Sequence, residues 1–425
     1  MENTVFSNPS RKRGLNFNTP EKDIFTDFGS FEPKQLHLGP DILHPSFSVS
    51  DEVVRMIAPA IPMSVLNTII MANKAREFVE EFPGHVMYAV KCNPDPIFLK
   101  TMHHEGVQRF DVASLYEVKL ISELLPAAKL YFMHPIKAPE AIWEAYFNYN
   151  VRAFVLDTEE ELEKILKATD MASDLELFVR IAVPKGNVAT DFSTKFGAKP
   201  DTASDLIAKT AVYAAKLGIS FHVGTQCTDI NVYANAIDYA ASIINQSGAD
   251  VSSLDIGGGF PTTLNNELPP PSIAEYMKLI RETLKRNLID GLEILCEAGR
   301  GLVADSGSLI VRVEGRKNDL LYINDGTYGG LFEAGGAIGL PYPARLIRRE
   351  DSRSFGQLKP FRLAGPTCDS VDMMNGPFIL PDDVAIGDWI ALDKLGAYGE
   401  VSRSNFNGFG SAHKVIISDI HEISS

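Results

Sequence analysis

The chain has 425 residues, 45% of them hydrophobic, with 40 Lys and Arg against 55 Asp and Glu for a formal net charge of -15. This size supports one large or two medium domains with a substantial core, and the acidic balance excludes a general affinity for nucleic acid, where Lys and Arg dominate binding. Small molecules, cationic ones included, and other proteins are the partners it allows.

The opening stretch MENTVFSNPSRKRGLNFNTPEKDIF lacks the apolar run of a secretory signal, so residues 1–35 read as a flexible arm and 36–64 as a segment contributing to a β domain. Nothing in the chain approaches the roughly 18 uninterrupted apolar residues of a membrane-spanning helix. Cys92, Cys227, Cys296 and Cys368 are widely spaced, with neither zinc-ligand spacing nor a disulfide framework, so a reducing, cytoplasmic setting is expected and no metal site.

Residues 65–309 alternate short apolar runs with longer segments of helical spacing. The strand candidates are MYAVK (87–91), RFDVA (109–113), KLYFM (129–133), VRAFVL (151–156), LELFVRI (175–181), SFHVG (220–224), SLDIG (253–257) and LEILCE (292–297). Between them PDPIFLKTMHHEG, SLYEVKLISELL, TEEELEKILKAT and DTASDLIAKTAVYAAKLG carry apolar residues at three- and four-residue intervals, with Ser, Thr, Asp or Gly at their ends. Alternation of this kind implies parallel strands with helical crossovers. Eight units predict an α/β fold of the TIM-type (β/α)8 barrel class, with a doubly wound open sheet as the competing arrangement. From residue 310 to 425 the pattern changes to LIVRVEG, LLYIND, ARLIRR, PFRLAG, DWIALD and KVIISD without helices between them, which predicts a second, mainly antiparallel β domain.

In such barrels catalytic groups sit at the C-terminal ends of strands, and phosphate binds the loops after the seventh and eighth. Strand seven runs into DIGGGFP and strand eight into CEAGRG, so Gly258, Gly259, Gly299 and Arg300 stand where a phosphate would be held. Lys91 ends strand one, Asp111 lies on strand two, Arg180 on strand five, His222 on strand six and Glu297 at the end of strand eight. Taken singly, the lysine reads as snorkelling to solvent, the histidine as a core residue and the glutamate as half of an ion pair. Around one cavity, an ammonium, an imidazole, a carboxylate and a phosphate cradle point to a lysine Schiff base with pyridoxal 5'-phosphate.

The stretches YAVKCN, FDVAS, TKFG, FHVGTQ, DIGGGFP, EAGRG, NDGTYGG, GPTCDSVD and GAYG…FNGF resemble those of the fold-type III pyridoxal-phosphate decarboxylases, the alanine-racemase-like barrel group, and most closely the ornithine decarboxylases. The resemblance spans roughly residues 60 to 412. It implies that Lys91 carries the cofactor, His222 stacks on its ring, Glu297 pairs with the ring nitrogen, and Asp111 and Arg180 support the ring from the side. Gly258, Gly259, Gly299, Arg300 and Tyr398 would hold the phosphate, with Thr225 where the family often places a serine. Cys368 would protonate the substrate from the neighbouring subunit of a homodimer with shared sites. Tyr328, Glu333, Asp369 and Asp372 would face the substrate. Fold relatives that racemise alanine place an arginine against the ring nitrogen, so Glu297 favours a decarboxylase.

The implied reaction is conversion of L-ornithine to putrescine, a polyamine-producing step. Lysine, arginine or diaminopimelate decarboxylation, or a silent binding protein like the antizyme inhibitors, are the alternatives. Two departures stand out. EAGR replaces the family's more usual EPGR, and LFEAGGAIGLPYP replaces the Tyr-Asp-His segment whose aspartate, in the animal enzymes, helps bind the distal amine.

Overall fold

The structure is a computed structural model that describes residues 35–38, 50–184, 195–264, 269–349 and 355–418. The expected arm at residues 1–35 falls almost wholly outside them. In chain order the strands begin with β1 (Gln35–Leu38) and β2 (Met63–Asn67). Eight follow: β3 (His85–Ala89), β4 (Arg109–Val112), β5 (Lys129–Phe132), β6 (Ala153–Leu156), β7 (Glu176–Arg180), β8 (Lys216–Ser220), β9 (Ser253–Asp255) and β10 (Glu293–Ala298). They close into an all-parallel barrel in which β10 pairs with both β3 and β9.

Helices cross between the barrel strands, and the sequence marks their starts. Ser114 and Thr158 cap Leu115–Leu124 and Glu159–Ala168 by accepting from the backbone N–H of Glu117 and Glu161. Ser272 and Glu275 form a reciprocal capping box at Ile273–Arg286. Inside the barrel, Met87, Tyr131, Met133, Ala153, Val155, Phe178 and Leu295 fill the interior as a dry plug. Residues of the opposite parity, such as Tyr88, Phe110, Phe154 and Val179, pack outward under the helices. The N-terminal strand ends carry structural ion pairs, with Arg109 on Glu293 at 3.1 Å and Lys129 on Glu176 at 2.8 Å. The C-terminal ends are left for polar chemistry.

The remaining strands are β11 (Gly307–Lys317), β12 (Leu320–Ile323), β13 (Ala344–Ile347), β14 (Leu358–Ala364), β15 (Met373–Pro381), β16 (Trp389–Asp393) and β17 (His413–Ile417). With β1 and β2 they build a nine-stranded sheet. It is more mixed than the sequence implied: β1 with β17 and β17 with β2 are parallel because the N-terminal strands run alongside the last one, and β12 with β14 is parallel as well. The strand β15 escaped the sequence reading because Gly376-Pro377 interrupts its apolar pattern.

Barrel and sheet are stitched at the site. The Asn93 side-chain amide donates to the Gly396 carbonyl at 2.8 Å, and the Tyr398 N–H donates to the Cys92 carbonyl at 2.9 Å. Arg403, nearly buried, clasps the carboxylate of Asp325 at 2.7 Å and so joins NDGTYGG to the loop that carries FNGF. No helix among the described residues is long and apolar enough to cross a membrane.

Candidate active site

A cavity of about 370 Å³ opens at the C-terminal mouth of the barrel. Lys91, Arg180, His222, Thr225, Gly258, Gly259, Glu297, Gly299, Arg300, Glu333 and Tyr398 all line it. Asp111 lies beside them and accepts from Lys91 Nζ at 2.9 Å.

Lys91 sits just beyond the strand, in a 3-10 turn spanning Val90–Cys92. Its side chain keeps 43% exposure, whereas Asp111 keeps 1%. Burial lowers the pKa of this amine, but the carboxylates of Asp111 and Glu297 outweigh it, and the net shift is upward. The amine therefore rests charged beside the Asp111 carboxylate.

His222 lies two residues past β8 rather than on a strand. Its Nδ1 accepts from the Gly224 N–H at 2.9 Å, which assigns the proton of the neutral ring to Nε2. Burial, then the nearby Arg180 and Lys91 charges, push its pKa well below the usual histidine value, so the ring stays neutral.

Glu297 is buried at the end of β10, while its neighbour Cys296 packs outside the barrel. Asp255, at the end of β9, was missed by the sequence reading. It is fully buried, its Oδ1 accepts from the Gly257 N–H at 2.9 Å, and its Oδ2 has no partner among the described residues unless it carries a proton. Burial and then the Glu297 charge push Asp255 well above the usual carboxylate range. Glu297 is raised by burial and Asp111, opposed by Lys91 and Arg180. A proton held by Asp255 and donated toward Glu297 leaves Glu297 the charged member of the pair. An acid in the middle of an apolar strand end, as in SLDIG, was the available signal.

The phosphate loops have the required shape. A Cβ on Gly258 would stand 2.6 Å from the Glu297 carbonyl oxygen, and Gly257 adopts a φ of 68°, so this turn admits no ordinary side chain. Arg300 is 5% exposed, and its Nε and Nη1 are buried without a hydrogen-bond partner among the described residues. Unpaired guanidinium donors beside a glycine turn fit an anion such as a phosphate ester. Across the cavity, the Arg180 guanidinium lies 5.4 Å from the centre of the Phe196 ring.

Of the remaining expected residues, Tyr328, Cys368, Asp369 and Asp372 do not line this cavity, whereas Glu333 does. Cys368 is exposed, with its Sγ 3.3 Å from Asn407 Oδ1, and Asp369 accepts from the Tyr328 hydroxyl at 2.6 Å. Asp372 is 2% exposed, and its two oxygens accept four hydrogen bonds from the backbone and hydroxyls of Thr327 and Thr367. It organises the loop and has no free lone pair facing substrate, contrary to the expectation. Glu333 lines the cavity but is paired with Arg300 at 2.6 Å and with the Tyr342 hydroxyl at 2.7 Å.

Residues 69–304 match the family model described as pyridoxal-dependent decarboxylase, pyridoxal binding domain. The lysine/ornithine decarboxylase of Selenomonas ruminantium is 31% identical over 88% of this chain and 94% of its own. Antizyme inhibitor 2 of Xenopus laevis is 30% identical over 76% of this chain and 73% of its own. Among solved structures, the Paramecium bursaria Chlorella virus arginine decarboxylase bound to agmatine superposes with a TM-score of 0.76 at 27% identity, covering 87% of this chain and 99% of that one.

Proposed function

The chain belongs to the pyridoxal-dependent decarboxylases, with pyridoxal 5'-phosphate as cofactor and a basic amino acid as substrate class, and from that premise we propose that it converts L-ornithine to putrescine as a cytoplasmic homodimer. The observation that carries the reading is one cavity lined by both Lys91 and Arg300, an arginine whose Nε and Nη1 have no hydrogen-bond partner among the described residues. Ornithine is chosen within that class, with lysine as the alternative, because the Selenomonas relative is a lysine/ornithine decarboxylase.

Bound pyridoxal phosphate supplies an aldehyde for an amine and a protonated ring that accepts the electron pair left when a carboxylate departs as CO2. In this chain Lys91 would provide the amine, with Asp111 beside it to accept a proton. Glu297, kept anionic by Asp255, would hold the ring nitrogen in its protonated form, and neutral His222 would add no charge beside the ring. Arg300, Gly258, Gly259 and Tyr398 would hold the phosphate end. Cys368 and Asp369 would act from the second subunit, the thiol as a proton donor toward the substrate α-carbon and the carboxylate as a partner for the distal ammonium. This role for the second subunit is supported by the exposure of Cys368 and by its absence from its own chain's cavity.

Incubating the holoenzyme with a panel of basic L-amino acids and identifying the released amine tests the proposal. Putrescine from ornithine is expected, and no amine from any of them would refute it. Asp369→Asn is expected to raise KM for ornithine by roughly tenfold, the consequence of losing a charged hydrogen bond. An unchanged KM would assign the distal amine to another group. The similarity to an antizyme inhibitor supports a second reading, a catalytically silent binding protein. Such a protein has no use for Lys91, Glu297 and Arg300 together, and after addition of pyridoxal phosphate it would show no red-shifted Schiff-base band beyond the absorbance of the free cofactor.

A further inference from the structure

Glu333 belongs to neither the barrel nor the glycine turn. It sits in a short 3-10 turn, Phe332–Ala334, that the sheet domain projects over the cavity. Its Oε1 accepts from Arg300 Nη2 at 2.6 Å, and its Oε2 accepts from the hydroxyl of Tyr342 at 2.7 Å. Tyr342 is fully buried in the core of the sheet domain, so this carboxylate is fixed from behind by a side chain that cannot move independently of that core. The Tyr398 ring lies 5.0 Å from the guanidinium carbon of Arg300 and limits its swing on another side. Arg300 is thus held at Nη2, while Nε and Nη1 stay buried and without a partner among the described residues.

Leaving two guanidinium donors unpaired out of water is costly, and the arrangement makes physical sense if an anion completes it. A flexible arginine could fold back on a neighbouring carbonyl, and the Nη2 contact prevents that. Burial works against the guanidinium charge and the Glu333 carboxylate restores it, so the arginine remains a full cation for an incoming anion.

We propose that Glu333 and Tyr342 form a clamp that presets Arg300 for the phosphate ester of the cofactor, making Glu333 a positioning residue of the anion cradle rather than a contact for the substrate's distal amine. The inference rests on the reading of Arg300 as a phosphate ligand given above. It also ties cofactor retention to the packing of the sheet domain, which supplies both halves of the clamp.

The test compares pyridoxal phosphate with pyridoxal, which lacks the phosphate, by fluorescence titration of apo-protein prepared from wild type and from Glu333→Ala, Glu333→Gln and Tyr342→Phe. Glu333→Ala is expected to weaken binding of the phosphate ester by roughly tenfold or more while leaving pyridoxal nearly unchanged. Glu333→Gln keeps an acceptor for Nη2 and a donor for the Tyr342 oxygen, so it should stay within roughly threefold of wild type. Tyr342→Phe, which keeps Glu333 but frees it, should fall between the two and carries the test if Glu333→Ala does not fold. An unchanged ratio of the two affinities in Glu333→Ala and Tyr342→Phe would overturn the clamp. Tighter phosphate-ester binding in Glu333→Ala would also overturn it, by making Glu333 a competitor of the anion. A wild type that fails to prefer pyridoxal phosphate over pyridoxal would instead refute the cofactor reading of the cavity itself.

Discussion

Lys91→Ala is expected to lower turnover by about three orders of magnitude or more, because the amine proposed to carry the cofactor is lost. The fold should survive. Lys91 lies in a turn beyond β3, and none of the residues that fill the barrel interior touches its role. Asp111, at 1% exposure, loses its ammonium partner, so a modest destabilisation of about 1–3 kcal/mol accompanies the change. Far-UV circular dichroism and thermal unfolding check the fold, and visible absorbance after addition of cofactor checks attachment. A folded Lys91→Ala protein that still turns over at near wild-type rate would remove Lys91 from the chemistry.

The second large effect concerns sharing of the site between subunits. Cys368→Ala alone should cripple protonation of the substrate α-carbon while leaving cofactor binding intact, since Cys368 is exposed and outside its own chain's cavity. Mixing Cys368→Ala with Lys91→Ala then makes a specific demand. In a heterodimer one site combines the intact Lys91 of one chain with the intact Cys368 of the other, and the second site carries both lesions. Random exchange across an isologous interface puts half the dimers in this state, so about a quarter of wild-type specific activity should return. Activity that stays at the level of the separate variants, although exchange is demonstrated with tagged chains, would mean that each chain builds its site alone.

Much of the barrel was legible because buried parallel strands appear as continuous apolar runs, and the helices between them announce their starts with Ser and Thr caps. One unit slipped. The helical pattern of DTASDLIAKTAVYAAKLG was read through residue 218, but the helix ends at Ala211, where Val212 and Tyr213 are exposed, and β8 already begins at Lys216. Gly218 belongs to that strand because the Phe178 ring leaves no room for a side chain there: a Cβ would come within 2.4 Å of it. The apolar alternation of SFHVG then continued the strand pattern past its true end, which is why His222 was placed on a strand instead of in the loop that presents it.

That Lys91, His222, Glu297 and Arg300 line one cavity was legible from motif and alternation. Contacts that depend on distant partners were not. Glu333 and Asp372 looked like free acids suited to a distal amine, but their partners, Arg300 and Tyr342 for one and Thr327 and Thr367 for the other, are set by folding of the sheet domain. Asp255 was hidden for a related reason: an acid in an apolar strand acquires its role only once β9 and β10 lie side by side.

The most direct test of the account is to trap the cofactor on the wild-type protein by borohydride reduction and map the modified peptide. A rival amine exists close by. Lys137 has a pKa lowered to about 8 by burial, against the opposing pull of Glu161, which would by itself make it the readier nucleophile. Its side chain, however, is 0% exposed and its Nζ is spent on the carbonyls of His134 and Val155 and on Glu161, whereas Lys91 opens into the cavity. The pyridoxyl label is expected on Lys91, in the peptide containing YAVKCN. Label on Lys137, or on any other lysine, would contradict it.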